Sequence, residues 1–138
     1  MLNTGISTLK PLEEAAAELR QKSGIILRYL NLLEVDKTLS DGLLKQEGGS
    51  HADEAETSMM LFIAPDKVDM SKAVKDYDSR PGRKGLTRDP QKESGSYSPT
   101  GIWGDPTLAT RQKGEIIVAA TVRAVVNQVR ELIELKLD

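Results

Sequence analysis

The apolar positions near the start of the chain predict a helix followed by a strand. They are Leu12, Ala15, Ala16 and Leu19, which recur at three- and four-residue steps. They predict a helix that continues over residues 13–21. Pro11 suits the first helical turn and Gly24 ends the pattern. The apolar, β-branched and aromatic run at 25–30 then predicts a buried strand. A turn, a helix and a strand in this order are typical of an α/β layer.

Two further helices are predicted along the chain. The first covers 51–64, beginning at Ser50 in a capping-box arrangement with Asp53 and ending at Pro65. The second is a long amphipathic helix over about 110–137, whose apolar face repeats at four- and three-residue steps. The residues of this apolar face are Val118, Val122, Val125, Val129 and Leu132.

Two stretches lack a clear periodicity. In 31–46 the signal is mixed, and Leu39, Leu43 and Leu44 could form one face of a short helix. The stretch from about 76 to 101 is rich in Gly, Pro and Ser and is predicted to be a long loop. Basic residues outnumber acidic ones within it, which fits either a solvated or oligomer-contact surface or a phosphate- or substrate-binding surface.

Composition narrows the class of protein. A chain of 138 residues is enough for one domain with one core, so a single domain over 1–138 is expected. A net charge of -2 provides no general attraction for nucleic acid or anionic lipid, and zero Cys excludes disulfides and thiolate zinc sites. The sequence shows neither a membrane-spanning apolar run nor a signal-peptide pattern. We therefore expect a cytoplasmic protein that binds neither nucleic acid nor membrane.

The densest cluster of candidate chemistry surrounds the single histidine. His51 is followed by Asp53, Glu54 and Glu56 within the predicted helix start. An imidazole can transfer a proton near neutral pH, and carboxylates can orient it or bind a divalent metal. The alternative is structural, because acidic residues in a first helical turn also complement the helix dipole.

A second candidate segment lies at 101–106, just before the last helix. It contains the only tryptophan, Trp103, between glycines that permit close backbone approach. Asp105 followed by Pro106 can cap a helical turn. A ligand contact and a helix cap with a core tryptophan are both consistent with this pattern.

These two segments together resemble the creatininase (creatinine amidohydrolase) family. Residues 49–58 read Gly-Ser-His-Ala-Asp-Glu-Ala-Glu-Thr-Ser, against the family's His-Ala-Gly-Glu-x-Glu-Thr-Ser. Residues 64–70 are similar to its proline-bounded segment, and 101–114 contain its Gly-x-x-Gly-Asp-Pro, Ala-Thr and Lys-Gly run. The three occur in order, and the resemblance spans nearly the whole chain.

The resemblance implies an α/β fold, a partial three-layer α/β/α domain with a mostly parallel sheet. It also implies a metal-dependent hydrolase of C–N amide bonds, including cyclic amides and formamides, with Zn or Mn as the divalent metal and assembly into dimers or hexamers. By motif position His51, Glu54 and Glu56 would be catalytic, and Glu56 would also bind the metal. The residues implied near the substrate are Trp103, Asp105 and Asp53.

Two departures from the family pattern shape the expectation. Asp53 stands where the family has glycine, and Asn3-Thr4-Gly5 stands where it has Asn-Gly-His, so a metal-binding histidine is missing. We expect the carboxy-terminal half of such a domain, truncated on its N-terminal side, with too few metal ligands to act alone. A companion N-terminal half would complete it. The alternative is a non-catalytic assembly or interaction module with the same fold.

Overall fold

The structure, a computed structural model, describes residues 2–32, 42–77, 86–92 and 95–134. Its contacts group into two units, Met1–Ser40 with Ala119–Asp138, and Asp41–Val118, which are described separately. Most of the mixed 31–46 stretch, including Leu39 of the possible short helix, lies outside the described residues. Within the described part, no helix is long and apolar enough to cross a membrane.

The first unit contains a helix between two parallel strands. Helix α1 runs over Leu9–Ser23 and ends where Gly24 adopts a left-handed conformation with φ 68° and donates its N–H to the carbonyl of Arg20. The predicted helix and its glycine stop are confirmed, although the helix begins earlier than Pro11. Strands β1 (Leu2–Asn3) and β2 (Leu30–Asn31) pair in parallel. This parallel pairing confirms the predicted α/β class.

The predicted buried strand at 25–30 is wrong for most of its length. Residues 24–29 carry no regular structure, and the side chains of Ile25 and Ile26 are exposed. The described pairing with β1 reaches only Leu30 and Asn31. An apolar, β-branched run forms a strand only where a neighbouring strand pairs with it, and the described pairing includes only Leu30, the last residue of this run.

The second unit is built around a short helix followed by turns and a two-stranded parallel sheet. Helix α2 covers Glu54–Ile63 and ends before Pro65, as predicted. Two short strands lie within the predicted loop at about 76–101, of which residues 78–85 and 93–94 are outside the described residues. The other elements of this unit are β3 (Leu86–Thr87), β4 (Ser96–Tyr97) and 3-10 turns at Pro65–Lys67, Met70–Lys72 and Pro106–Leu108.

The long C-terminal helix is confirmed, and part of its predicted apolar face is exposed. Helix α3 covers Arg111–Glu134. Val122 and Val129 of this face are exposed, and with two further residues they form an apolar stripe that we call the α3 seam. The seam consists of Val122, Val126, Val129 and Ile133. Two apolar stripes lie side by side on this helix, and a repeat read along the sequence does not say which one faces the protein.

Candidate functional site

Helix α2 is capped by Asp53 rather than by the predicted cap, Ser50. The Asp53 backbone is extended, and its Oδ1 accepts a hydrogen bond from the N–H of Glu56 at 2.9 Å. Ser50 instead donates its N–H to the carbonyl of Trp103 at 2.7 Å. Because Asp53 directly precedes the first helical residue, its short carboxylate reaches the free N–H groups that Ser50 cannot reach.

The loop that carries His51 is joined to the second candidate segment by its main chain. His51 donates its N–H to the carbonyl of Trp103 at 3.0 Å, and Trp103 donates back at 2.8 Å. A similar antiparallel bridge joins Asp76 and Gly104, with both N–O distances at 3.0 Å. The structure therefore brings together the two segments that the sequence analysis singled out.

Two glycines make this close approach possible. A Cβ placed on Gly49, whose φ is +93°, would lie 2.2 Å from the carbonyl oxygen of Trp103. A Cβ on Gly104 would lie 2.4 Å from the Cβ of Asp53. Any side chain at either position would separate the two segments. The expectation that a glycine beside Trp103 permits close approach is confirmed at Gly104.

Gln46 ties the two segments together through its side chain. Its Oε1 accepts from the N–H of Glu54 at 3.0 Å and from the N–H of Asp105 at 3.2 Å. Its Nε2 donates to Oδ2 of Asp53 at 2.8 Å. Sequence reasoning missed Gln46, because a single glutamine in a stretch without periodicity carries no signal of its partners.

The Glu54 carboxylate is fully buried and ion-paired with the ammonium of Lys113. Its Oε2 accepts from the N–H groups of Lys45 and Gln46, both at 2.7 Å. Lys113 Nζ also donates to the carbonyl of Leu108 at 2.8 Å. Both carboxylate oxygens are therefore engaged inside the protein, and Glu54 connects α2 to α3. A buried charge needs such partners, because its desolvation is otherwise costly.

His51 and Glu56 lie side by side at the surface. His51 Nδ1 is 3.9 Å from Oε2 of Glu56, and the two side chains are 59% and 52% exposed. The same Oε2 accepts the N–H of Ala52 at 2.5 Å, which fixes the carboxylate beside the ring. The distance is too long for a hydrogen bond but short enough for electrostatic interaction. The arrangement brings a proton-transfer group and a carboxylate to one accessible position.

The loop between these two side chains is strained. Ala52 has φ 48°, and no other described residue besides glycine has a positive φ. A left-handed conformation costs a residue with a Cβ about 1–2 kcal/mol, and such strain concentrates at functional sites. The strain is maintained by the main-chain bridge on one side and the cap at Asp53 on the other.

In the described part of the chain, Asp105 caps a 3-10 turn and Trp103 has its indole N–H enclosed. Asp105 is buried, and its Oδ1 accepts from the N–H of Thr107 at 3.2 Å, so the predicted cap before Pro106–Leu108 is confirmed. Trp103 is half-buried, and its indole N–H is enclosed without a hydrogen-bond partner in the described structure. Neither side chain contacts the His51 ring in any described interaction.

Asp76, which pairs with Gly104, has a perturbed carboxyl group. Its Oδ2 accepts hydrogen bonds from the hydroxyls of Thr100 and of Ser98, the latter at 2.7 Å. These donors, Thr100 first, hold the pKa of Asp76 below its ordinary value of 3.8, because they favour the charged form. This pair of hydroxyls anchors the turn before Trp103.

The described side chains do not by themselves make a metal site. Across residues 2–32, 42–77, 86–92 and 95–134, no three His, Cys, Asp or Glu side chains are grouped as a metal would require. His51 and Glu56 supply two donors, whereas zinc is commonly held by three or four protein ligands. Glu56 therefore fits a metal only as one member of a larger ligand set.

Comparison with known proteins identifies the fold. A manganese form of creatininase matches with a TM-score of 0.70 and 22% identity, covering 97% of this chain and 56% of that one. A mutant creatininase matches with 0.69 and 23%, covering 97% and 55%. Another mutant, of the Zn-Zn type, matches with 0.67 and 23%, again covering 97% and 55%. No curated protein sequence matches significantly.

The chain thus spans little more than half the length of the creatininases it matches. Likeness at these identities confirms the predicted fold, an α/β arrangement with parallel strands. The family itself is shown by sequence, since the family model for creatininase, described as creatinine amidohydrolase, matches residues 1–129. This chain belongs to the creatininase family.

Proposed function

We propose that this chain is the carboxy-terminal portion of a creatininase-type amidohydrolase, a single domain that hydrolyses the C–N bond of a small amide. The observation that carries the proposal is the His51–Glu56 pair, held at an accessible position on a strained loop. A proton-transfer group beside a carboxylate is the minimum equipment for general acid–base hydrolysis. Strain maintained on both sides of Ala52 supports a functional rather than an incidental arrangement.

In the proposed reaction, His51 moves the proton. Water oxygen attacks the amide carbonyl carbon while the imidazole takes a proton from the water. The C–N bond then breaks, and the imidazole returns the proton to the leaving nitrogen. Glu56, fixed by the N–H of Ala52, orients the ring and stabilises the positive charge that it carries between the two transfers. Glu54 contributes by anchoring α2 through Lys113.

A divalent metal, Zn or Mn, would polarise the carbonyl when bound. Glu56 is the described residue that we propose as one ligand, and the remaining ligands would come from a companion N-terminal half of the fold. The proposal includes a cytoplasmic homo-oligomer, a dimer or hexamer. The metal in this proposal is supported by the manganese and Zn-Zn creatininases among the matching structures, of which this chain covers 55–56%.

A chimera tests this proposal directly. The aligned part of a matching creatininase is replaced by this chain, and amide hydrolysis is measured with Mn²⁺ or Zn²⁺. Turnover is expected, and His51→Ala should lower kcat by about 10²-fold or more. Glu56→Gln should act in the same direction, whereas Asn127→Ala, an exposed position on α3, should not. A folded, metal-loaded chimera whose turnover does not depend on His51 would refute the assignment.

A second candidate function, a non-catalytic assembly module, is favoured by the α3 seam. Its four exposed β-branched residues repeat at four- and three-residue steps, the spacing of a helix–helix contact. Exposed apolar stripes of this kind mark interaction surfaces. Sedimentation of the chain alone tests the idea, with Val126→Glu expected to dissociate any oligomer and Asn127→Glu as the matched control. A chain that is monomeric at all concentrations would exclude self-assembly through the seam.

A further inference from the structure

A groove of about 370 Å³ lies beside the loop that carries His51. We call it the α2 groove, and it lies between α2, the segment 67–73 and the Ile102–Pro106 region. Sites for small molecules typically have about 300–1,000 Å³, so this groove is at the small end of that range.

The walls of the α2 groove are mainly apolar. They include the side chains of Met60, Val68, Met70 and Ile102. Met60 is 43% exposed, so its side chain is accessible to a ligand from solvent. Methionine side chains are flexible and polarisable and adapt to ligands of different shapes. The walls therefore favour an apolar molecular body over a polar one.

The two lysines around the groove are paired with carboxylates. Lys67 Nζ lies 3.0 Å from Asp66, and Lys72 Nζ lies 3.4 Å from Asp69. The remaining carboxylate, Glu56, accepts the N–H of Ala52 and lies beside the imidazole of His51. The charged lining residues are two lysines and two carboxylates, so their charges sum to zero and attract neither an anion nor a cation overall. The charge distribution therefore favours an uncharged ligand.

The groove includes Glu56, one member of the candidate catalytic pair. Ala52 and Glu56, both lining residues, belong to the strained loop and to the first turn of α2. A molecule whose apolar part lies along Met60 and Met70 can therefore place a polar end beside the Glu56 carboxylate. This continuity connects the groove to the chemistry of the loop.

We propose that the α2 groove binds an uncharged small molecule by an apolar alkyl or aryl substituent, with its amide group at the Glu56 end. The orientation of the amide rests on the proposed function. The binding of the apolar substituent stands on the groove alone, and a measurement that requires no turnover tests it.

The methionines of the full chain report on this binding. With ¹³C-labelled methionine methyl groups, titration with N-benzylacetamide should shift the Met60 and Met70 signals saturably. Met59, adjacent to Met60 on α2 but not a lining residue, should not shift and serves as an internal control. Benzylammonium, which is charged, and acetamide, which lacks the aryl group, should each bind at least ten-fold more weakly.

A matched pair of substitutions completes the test. Val68→Trp fills the groove and should weaken probe binding at least ten-fold, while Val74→Trp, at an exposed valine that does not line the groove, should leave binding unchanged. Equal shifts at Met59, or no effect of Val68→Trp, would overturn the proposal. Shifts at Met60 and Met70 that occur on concentrating the protein without probe would also overturn it, showing an interface between copies.

The two proposals fail separately. Saturable shifts at Met60 and Met70 in a protein whose chimera does not hydrolyse amides would refute the proposed function and leave the groove site established. Turnover that depends on His51, without any probe binding, would support the proposed function and refute the groove site.

Discussion

A Cβ on Gly114 of α3 would lie 1.9 Å from the main-chain oxygen of Ser58 on α2. The two helices therefore touch backbone to backbone at this point, and only glycine permits the contact. Nearby, the Ser58 hydroxyl donates to the carbonyl of Glu54 at 2.6 Å and accepts from the N–H of Thr110 at 3.1 Å. This contact sets the position of α2, and with it the start of the helix that follows His51.

The helix contact predicts the effect of Gly114→Ala. At an ordinary helical position this change should stabilise by about 1 kcal/mol, because alanine is the better helix former. Here the added methyl group has no space, and we expect destabilisation by about 1–3 kcal/mol. Urea unfolding of the purified chain measures the difference. A stabilised variant would show that the helices are further apart than described.

The buried ion pair predicts a large effect of Lys113→Met. Removing the ammonium leaves the Glu54 carboxylate buried without its cation, and we expect a loss of about 3–5 kcal/mol. Adding Glu54→Gln removes the charge but retains an acceptor for the N–H groups of Lys45 and Gln46. The double variant should therefore be more stable than Lys113→Met alone. A double variant with simply additive losses in urea unfolding would contradict the pairing.

The strained loop predicts that Ala52→Gly does not destabilise the fold. Relief of a left-handed alanine is worth about 1–2 kcal/mol, and the greater freedom of glycine in the unfolded chain opposes it by about 0.5–1 kcal/mol. The expected net change is a stabilisation of up to about 1.5 kcal/mol. Ala119→Gly, an exposed alanine in the middle of α3, is the control and should cost about 1 kcal/mol. Equal losses for the two variants would contradict the conformation at Ala52.

The carboxyl group of Asp76 predicts a pH dependence of stability. Its pKa is lower in the folded chain than the ordinary 3.8, so it contributes stability above that value, which is lost as pH falls through the folded pKa. Asp76→Asn should therefore be less stable than the parent at pH 7, and the difference should shrink below about pH 4. Urea unfolding at pH 7, 5 and 3 measures this trend.

A hydroxyl-deleted variant gives the control for this prediction. Ser98→Ala with Thr100→Ala keeps the carboxyl group but removes its donors. The pKa of Asp76, followed by carboxyl NMR, should rise toward its ordinary value. An unchanged pKa in this variant would exclude the two hydroxyls as the cause.

Local signals in the sequence predicted local structure well. The stop of α1 at Gly24, the end of α2 before Pro65 and the long α3 all follow from residues within one or two turns of the feature. The strand at 25–30 was wrong because strand formation depends on a neighbour that local pattern does not contain. Which residues of the apolar face of α3 are buried did not follow from the pattern for a similar reason, since burial depends on what packs against the helix.

In the candidate site, too, local features were predicted and contacts between distant residues were not. The motif brought attention to His51 and Glu56, and the structure places them 3.9 Å apart. Glu54 belongs to the same motif but is enclosed with Lys113. Nothing in the sequence showed this contact, because it joins residues 59 positions apart. Gln46 was missed for the same reason. The catalytic roles of His51, Glu54 and Glu56 stay predictions. So do the substrate-binding roles of Trp103, Asp105 and Asp53.

The contact between Glu54 and Lys113 also bears on how the chain is made. Ribosomes complete the first partner 59 residues before the second, so a nascent polypeptide must keep α2 undocked, with its carboxylate in water, until α3 emerges. Closing so long a loop slows folding relative to neighbouring contacts. A shortened product that stops before Arg111 would retain every residue of the histidine motif and still lack the cation that anchors it.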